Sequence, residues 1–357
     1  MNNKLSRRSF LSGSAAALAT VSIAPMVTSC QTAPAGPTFP SIYDFGSKFG
    51  GVQIGAITYS WRSMPAGLEN IVKYCKESGI SSVELMSDDL ETFLGRPENP
   101  IHREPQQPST NLLSAGSQMT FEQMITLYYS GFKPLTPQEQ EIQDKYDADV
   151  KVFRMSVSSE KIAAAKKLFD DAGIGVHIVK FSPSGWSDEE IDYAFTTAKA
   201  MGAKAVCEEI SERAVAKLAP FAEKHGMYAI FHNHQQYAEE GFSADPFLTV
   251  SPAVMLNFDA GHYFGSTGLN PCDFIRKYHE RIYSIHIKDK TGLNTEPSNN
   301  NQVWGQGETP LAELLLLIKN EAWPIYLDIE LEYRIPSWSN AVKEVRTCVQ
   351  YARNILI

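Results

Sequence analysis

Short runs of β-branched and apolar residues alternate with amphipathic helical stretches along most of this chain, and this alternation constrains the fold more than any other feature. We predict eight strands, at residues 52–58, 82–86, 175–181, 205–210, 227–232, 254–258, 282–287 and 325–331. Helices are predicted at residues 67–78, 136–152, 158–172, 188–201, 212–225 and 310–320. Eight strands that are mostly followed by helices favour an α/β chain folded as one (β/α)8 TIM barrel over a doubly wound sheet.

The connection between the second and third predicted strands is much longer than the others. It covers residues 88–154, and its middle, residues 99–117, is rich in Pro, Ser, Asn and Gln. A strand-to-helix connection lies on the catalytic face of a barrel, so we expect this insertion to shape or cover the site. The barrel domain, including the insertion, is expected to span residues 49–357.

The first thirty residues have the pattern of an export signal. Residues 6–11 read SRRSFL, and an uncharged, Ala-rich apolar run follows from 13 to 27, as in a twin-arginine signal peptide. The sequence VTSC at 27–30 resembles a bacterial lipobox, which predicts lipidation of Cys30; the alternative is a chance cysteine near an ordinary cleavage site. Residues 31–48 are expected to form a tether. We therefore expect a periplasmic protein that reaches the membrane only through this lipid anchor.

Charge and cysteine content narrow the classes of partner. The formal net charge is −9, and the leader contributes Lys4, Arg7 and Arg8 without any acid, so the rest of the chain is more acidic still. Non-specific binding of nucleic acid needs clustered Lys and Arg, so nucleic acid is not an expected partner. Four further cysteines lack the short spacing of a thiolate metal site, and we expect buried small residues rather than disulfides at Cys75, Cys207, Cys272 and Cys348.

Polar side chains gather at the ends of five consecutive predicted strands. The segments are CEE at 207–209, HNH at 232–234, NFDAGH at 257–262, HIKD at 286–289 and DIELE at 328–332. The carboxyl ends of barrel strands converge on one pocket, so these side chains are expected to meet. A lone histidine at a strand end is more often structural, but five such ends in a row indicate a site. His, Asp and Glu without Cys suit one divalent ion of the Mn, Mg, Co or Zn type.

The strand-end segments named above resemble the xylose isomerase-like barrel superfamily, in particular the exported branch of sugar phosphate isomerases and epimerases. Three further segments carry the same resemblance, namely VELM at 83–86, LTPQEQ at 135–140 and WGQG at 304–307. The resemblance implies a metal held by two Glu, an Asp and a His at the barrel mouth. Three of these ligands correspond to Asp259, His286 and Glu330. At the remaining Glu position this chain has His232, so either His232 binds the metal or Glu208 on the neighbouring strand supplies the carboxylate.

The chemistry that the resemblance implies is removal of a proton next to a sugar carbonyl, which gives an enediolate. Glu330 and Glu208 are the candidate bases, and His262 and Lys288 are candidates for stabilising the negatively charged oxygen. Each of these four side chains could instead have a purely structural role. Lys288, for instance, is next to Asp289 in sequence and could simply neutralise its charge.

The expected partner is a small carbohydrate, with the oligomeric state open. Candidate substrate contacts are Tyr59 and Trp304, which either stack on a sugar or pack in the core, together with His234, Glu84 and Lys180.

Three readings of the activity remain open. The resemblance favours a metal-dependent isomerase or epimerase. Export favours a 3-keto-glycoside lyase acting by β-elimination, because phosphosugars are cytoplasmic and the chain has no recognised Gly-rich phosphate loop. The third is a non-catalytic sugar-binding lipoprotein.

Overall fold

Eight parallel strands close into a barrel in the computed structural model, which describes residues 46–101 and 134–357. The strands are β1 Val52–Ile57, β2 Ser82–Met86, β3 Gly175–Lys180, β4 Ala205–Glu209, β5 Tyr228–His232, β6 Val254–Asp259, β7 Ile282–Ile287 and β8 Tyr326–Ile329. Each strand pairs in parallel with the next, and β8 pairs with both β7 and β1, which closes the sheet. The predicted TIM barrel is therefore confirmed.

Eleven α-helices lie in the described ranges. They are α1 Leu68–Ser78, α2 Ser87–Leu94, α3 Pro137–Ser156, α4 Ser159–Asp171, α5 Asp188–Ala200, α6 Glu212–His225, α7 Asp245–Leu248, α8 Ala260–Thr267, α9 Pro271–Tyr278, α10 Leu311–Glu321 and α11 Ala341–Leu356. All six predicted helices are present, whereas α2, α7, α8, α9 and α11 were not predicted. Within these ranges no helix has the length and apolarity of a membrane span.

The predicted export signal, the lipobox at Cys30 and the middle of the insertion from residue 102 onwards lie outside the described residues. The predicted boundary between tether and barrel at residue 48 needs a correction. Lys48–Phe49 pairs antiparallel with β1, and the Ser47 hydroxyl is buried and donates to the backbone oxygen of Ile54. The fold therefore already includes residues assigned to the tether.

The far end of the insertion is fastened to the barrel by α3. Thr136 and Glu139 form a capping box at its first turn, and Pro137 occupies a first-turn position. The LTPQEQ segment is therefore the start of this helix. Near its last turn, Arg154 binds the carboxylates of Glu91 at 2.8 Å and Glu190 at 3.0 Å. This pairing links α3 to both α2 and α5.

The barrel interior has an apolar part and a polar part. Ile178, Ala205, Cys207, Ile230 and Tyr283 form an apolar cluster separate from the main core between sheet and helices. Fully buried polar side chains also point into the barrel, namely Glu84, Asn257, Ser284, His286 and Asp328. Burying a polar group costs free energy unless it has a hydrogen-bond or ion-pair partner. The partners of these side chains therefore indicate the candidate functional site. The four cysteines in the described ranges are free and buried, as expected.

Candidate metal centre

Four buried side chains place ligand atoms around one point at the carboxyl ends of the barrel strands. They are His232, Asp259, His286 and Glu330, whose potential ligand atoms all lie within 4.8 Å of one another. These side chains come from the ends of β5, β6 and β7 and from the residue after β8. We call this set the metal centre. Its position agrees with the predicted convergence of the strand ends.

The chemistry of these atoms fits a divalent ion. The buried Nε2 atom of His232 makes no hydrogen bond within the described part of the chain. It lies 3.4 Å from Asp259 Oδ2 and 3.7 Å from Glu330 Oε2. Two imidazoles and two carboxylates form a ligand set common to Mn, Co and Zn sites.

The geometry of Asp259 follows from its place at the start of α8. Its Oδ1 atom accepts a hydrogen bond from the backbone N–H of His262 at 2.6 Å, which caps the helix and leaves Oδ2 facing the metal centre. Asn233, the middle residue of the HNH segment, bonds to the backbone N–H and carbonyl of Asp259 at 2.9 and 3.2 Å. The HNH segment therefore positions Asp259 as well as offering its own histidines.

Each histidine of the metal centre has a carboxylate behind it. Glu84 Oε2 lies 2.7 Å from His286 Nε2, and Glu209 Oε2 lies 3.2 Å from His232 Nδ1. Such carboxylates fix the ring orientation and the tautomer of metal-binding histidines. With these partners in place, His286 presents Nδ1 and His232 presents Nε2 to the metal centre.

The pKa values of Glu84 and His286 reflect this pairing. Burial alone would raise the pKa of Glu84, but the charge and hydrogen bond of His286 outweigh it and bring the pKa to about 2. Burial would lower the pKa of His286, but Glu84 and Glu330 outweigh it and raise the pKa to about 9. Glu84 is 0 % exposed, so the predicted substrate contact of Glu84 does not fit its position.

Glu208 and Glu209 have opposite environments. Glu208 accepts hydrogen bonds from the backbone N–H groups of Ser184 and Glu209, both at 2.8 Å, and does not join the metal centre. Successive side chains of a strand point to opposite faces, so Glu209 is the residue that faces the barrel mouth. The sequence reasoning missed Glu209, although the burial of Cys207 in the barrel interior implies the same face for residue 209. Of the two alternatives for the fourth ligand, only His232 lies at the metal centre.

Lys288 adds a fixed positive charge. Its Nζ atom lies 2.9 Å from both Asp259 Oδ2 and Glu330 Oε2, and 2.7 Å from Glu332 Oε2. Burial would lower the pKa of Lys288, but the three carboxylates raise it above its usual value. Lys288 does not neutralise Asp289, whose carboxylate instead accepts backbone N–H groups from the WGQG segment.

His262 lies beside this lysine. Its Nε2 atom is 3.0 Å from Lys288 Nζ, and Lys290 Nζ is 3.5 Å from Nδ1. Burial and the charge of Lys288 hold the pKa of His262 well below its usual value. In the 3.0 Å contact the ammonium group of Lys288 donates a hydrogen bond to His262 Nε2.

The side of the metal centre formed by β3, β4 and β5 is more open. The side chains of Glu209 and His234 are 28 % and 25 % exposed, whereas the metal-centre side chains are 8 % exposed or less. Glu209 lies 3.1 Å from His234 Nδ1, and its other oxygen is 2.7 Å from Lys180 Nζ. The predicted substrate contacts His234 and Lys180 are thus brought together, with Glu209 between them.

The two predicted aromatic contacts differ from each other. Tyr59 follows β1 at the barrel mouth, is 38 % exposed, and has the guanidinium group of Arg62 4.2 Å from its ring centre. Trp304 is buried in the main core and packs edge-on against Tyr351 of α11. Of the two alternatives for Trp304, stacking on a sugar or packing in the core, its position agrees with packing.

Residues 129–353 match the family described as xylose isomerase-like TIM barrel. An inosose dehydratase from Clostridium botulinum is 27 % identical over 210 residues, which cover 49 % of this chain and 65 % of the relative. The match thus spans less than two thirds of that relative's length.

Two solved structures share the fold. A xylose isomerase domain protein from Alicyclobacillus acidocaldarius is 13 % identical, with 85 % of this chain and 99 % of that chain covered and a TM-score of 0.53. A sugar phosphate isomerase/epimerase from Parabacteroides distasonis is 15 % identical, with 89 % and 100 % covered and a TM-score of 0.50.

Proposed function

The chain belongs to the xylose isomerase-like TIM barrel family, and we propose that it is a metal-dependent carbohydrate enzyme that removes a proton next to a carbonyl. The observation that carries this proposal is the metal centre, in which four buried ligand atoms converge beside the ammonium group of Lys288. A divalent ion bound there would polarise the carbonyl oxygen of a sugar and lower the pKa of the adjacent C–H.

Within this class, elimination fits the site better than epimerisation. Relatives that epimerise sugars use two glutamates on opposite sides of the substrate, and here one of those positions is His232, whose Nδ1 is bound to Glu209. An elimination needs one base for the C–H and one acid for the departing oxygen. The name of the inosose dehydratase relatives also denotes an elimination, the loss of water. We therefore propose a lyase acting on a keto-sugar, with a 3-keto-glycoside as the substrate.

The residues on the open side would carry the proton transfers. Glu209 takes the proton from the carbon next to the carbonyl, and the electron pair of that bond moves onto the carbonyl oxygen. Lys288 stabilises the resulting negative charge. The electron pair then returns and expels the oxygen substituent on the next carbon, while His234, 3.1 Å from Glu209, returns a proton to that oxygen. The products are an unsaturated ketone and a free alcohol or sugar.

The test uses the full chain loaded with Mn²⁺, Co²⁺ or Zn²⁺ and a 3-keto-glycoside in deuterated water. We expect about one bound ion per chain. NMR spectra recorded during the reaction should show release of the aglycone. Deuterium in an intact sugar would instead establish the second candidate, an isomerase or epimerase. Absence of bound metal, of exchange and of product, together with sugar binding, would leave a non-catalytic binding protein.

The cellular location of the protein is a separate proposal. We propose export by the twin-arginine route and lipid attachment at Cys30 in the periplasm, on the basis of the SRRSFL and VTSC segments. Expression of the full chain and of Cys30→Ser, followed by membrane fractionation, tests it. Only the parent chain should remain with the membrane; equal distribution of both would argue against lipidation.

A further inference from the structure

Glu332 is a carboxylate at the barrel mouth to which the proposed mechanism gives no role. It ends the DIELE segment, in which Ile329 and Leu331 pack in the main core between the sheet and the helices. Successive side chains of an extended segment point to opposite faces, so Asp328, Glu330 and Glu332 face the barrel interior. Their side chains are 0 %, 8 % and 20 % exposed, in that order. Glu332 is therefore the outermost of three acids along one wall of the barrel.

Three carboxylates share the ammonium group of Lys288 in the described part of the chain. Asp259 Oδ2 and Glu330 Oε2 each lie 2.9 Å from Lys288 Nζ, and Glu332 Oε2 lies 2.7 Å from it. Asp259 and Glu330 belong to the metal centre, whereas Glu332 does not. Of these three carboxylates, Glu332 is thus the one that a metal ion would leave to the lysine.

An ion at the metal centre and the ammonium group of Lys288 need the same two oxygens. Asp259 presents Oδ2 because its Oδ1 caps α8. Glu330 Oε2 lies 2.8 Å from His286 Nδ1 and 3.7 Å from His232 Nε2, so it faces the other ligands. Two positive charges that share these oxygens repel each other, and the repulsion is strong where little water screens it. Lys288 therefore needs a further anion if it is to stay beside a bound ion.

We propose that Glu332 is a positioning residue that keeps the ammonium group of Lys288 beside the metal centre when an ion takes Asp259 and Glu330. The inference rests on the proposed function, in which Lys288 stabilises the negatively charged oxygen. The contact between Glu332 and Lys288 is a charge-assisted hydrogen bond, which is the strong kind. His262 supports the same placement, because its Nε2 accepts from Lys288 at 3.0 Å and lies 3.6 Å from Glu332 Oε2.

Glu332 should therefore affect both metal binding and the reaction, and both effects pass through Lys288. Without the carboxylate of Glu332, the ammonium group has only the two ligand carboxylates as anionic partners. An ion must then displace it from them, which weakens metal binding. Once displaced, the ammonium group stabilises the negatively charged oxygen less well, which slows the reaction. A residue that only supported the fold would change stability without this dependence on Lys288.

The first test measures the Kd of Co²⁺ by isothermal titration calorimetry on the full chain without substrate. We expect Glu332→Gln to raise Kd about tenfold, the low end of the cost of losing a group behind a metal ligand. In a Lys288→Met background, which lacks the competing ammonium group, Glu332→Gln should raise Kd less than about threefold. Glu280→Gln, which removes an exposed carboxylate just before β7, is the control and should leave Kd unchanged. Thermal unfolding with Co²⁺ in excess checks that each variant is folded.

The second test measures kcat and KM for the 3-keto-glycoside with the ion in excess, so that every variant is loaded. We expect Glu332→Gln to lower kcat about tenfold and to leave KM within about twofold, because the charged oxygen forms only during the reaction. Glu332→Asp, which keeps the charge, should recover part of the lost kcat. A parental kcat in Glu332→Gln would overturn the positioning role.

The metal measurement separates this inference from the proposed function. A loss of Co²⁺ affinity in Glu332→Gln that disappears in the Lys288→Met background supports the inference even if the chain does not turn over the glycoside. A parental Kd in Glu332→Gln, or an equal loss with and without Lys288, overturns the inference and leaves the lyase proposal standing. Absence of Co²⁺ binding by the parent chain overturns both.

Discussion

Glu208 and Glu209 are adjacent carboxylates on β4 that point to opposite faces, so they form a matched pair for substitution. Glu209 contacts His232, His234 and Lys180, whereas Glu208 contacts backbone N–H groups. Removing a general base typically reduces the rate 10²–10⁴-fold. We expect Glu209→Gln to lower kcat at least about 100-fold, and Glu208→Gln to lower it less than about threefold. Because Glu209 also orients His232, kcat and metal content are measured with the ion in excess, where both variants should hold about one ion per chain. Equal losses of kcat would argue against Glu209 as the base.

Gly261 gives a second test, because its lack of a side chain makes room for Lys288. A Cβ atom at this position would overlap the Lys288 side chain and come within 2.7 Å of its carbonyl oxygen. We expect Gly261→Ala to displace the ammonium group and to reduce kcat about 100-fold, the typical cost of losing one oxyanion-stabilising group. Gly185→Ala, where the added Cβ meets open space, is the control. Near-parental kcat for Gly261→Ala would mean that Lys288 does not act on the substrate.

Helix α3 provides a prediction about stability. Arg154 is 11 % exposed and binds Glu91, which is 1 % exposed, as well as Glu190. Removing one partner of a buried pair leaves an uncompensated charge and costs about 3–5 kcal/mol. Because Arg96 also lies 3.3 Å from Glu91, we expect Arg154→Met to lower the free energy of unfolding in urea by about 3 kcal/mol, the low end of that range. Lys145→Met breaks an exposed pair with Asp149 on the same helix and should cost less than about 1 kcal/mol. Similar losses of stability in both variants would contradict a stabilising role for the pairing of Arg154 with Glu91 and Glu190.

The helices differ in how far their sequences predict them. Helix α11 was not predicted, although it is amphipathic and follows the N-cap residue Asn340, which are both signals that local sequence rules recognise. Helix α8 is different, since its eight residues AGHYFGST contain two glycines and have little intrinsic helix propensity. It begins because Asp259 caps it, and that cap also orients a ligand of the metal centre. Local sequence rules do not reveal a helix whose first turn depends on a tertiary site.

The fold and the place of the site were predictable because strand ends of a parallel barrel converge. The family resemblance then implied Asp259, His286 and Glu330 as ligands and left His232 and Glu208 as alternatives for the fourth, of which His232 lies in the cluster. The surroundings of these ligands were not predictable in the same way. Whether residue 208 or 209 faces the mouth depends on one step of strand register, and Glu84 reaches His286 from a strand 202 residues away. The chemistry of the site depends on these neighbours. The sequence therefore predicts a metal-dependent class of enzyme better than it predicts a reaction.

Metal binding should couple the site to the stability of the whole barrel, because its ligands come from β5, β6, β7 and the segment after β8. An ion present at a hundred times its Kd stabilises the folded state by about 2.7 kcal/mol, which corresponds to roughly 4 °C in Tm for a domain of about 300 residues. We expect chelation to lower Tm by that amount and Mn²⁺, Co²⁺ or Zn²⁺ to restore it. In His232→Ala the shift should shrink by more than half. His279→Ala, which removes a half-buried histidine outside the metal centre, should keep the shift. A Tm that none of these ions changes would contradict the metal centre, and with it the polarised carbonyl on which the proposed elimination depends.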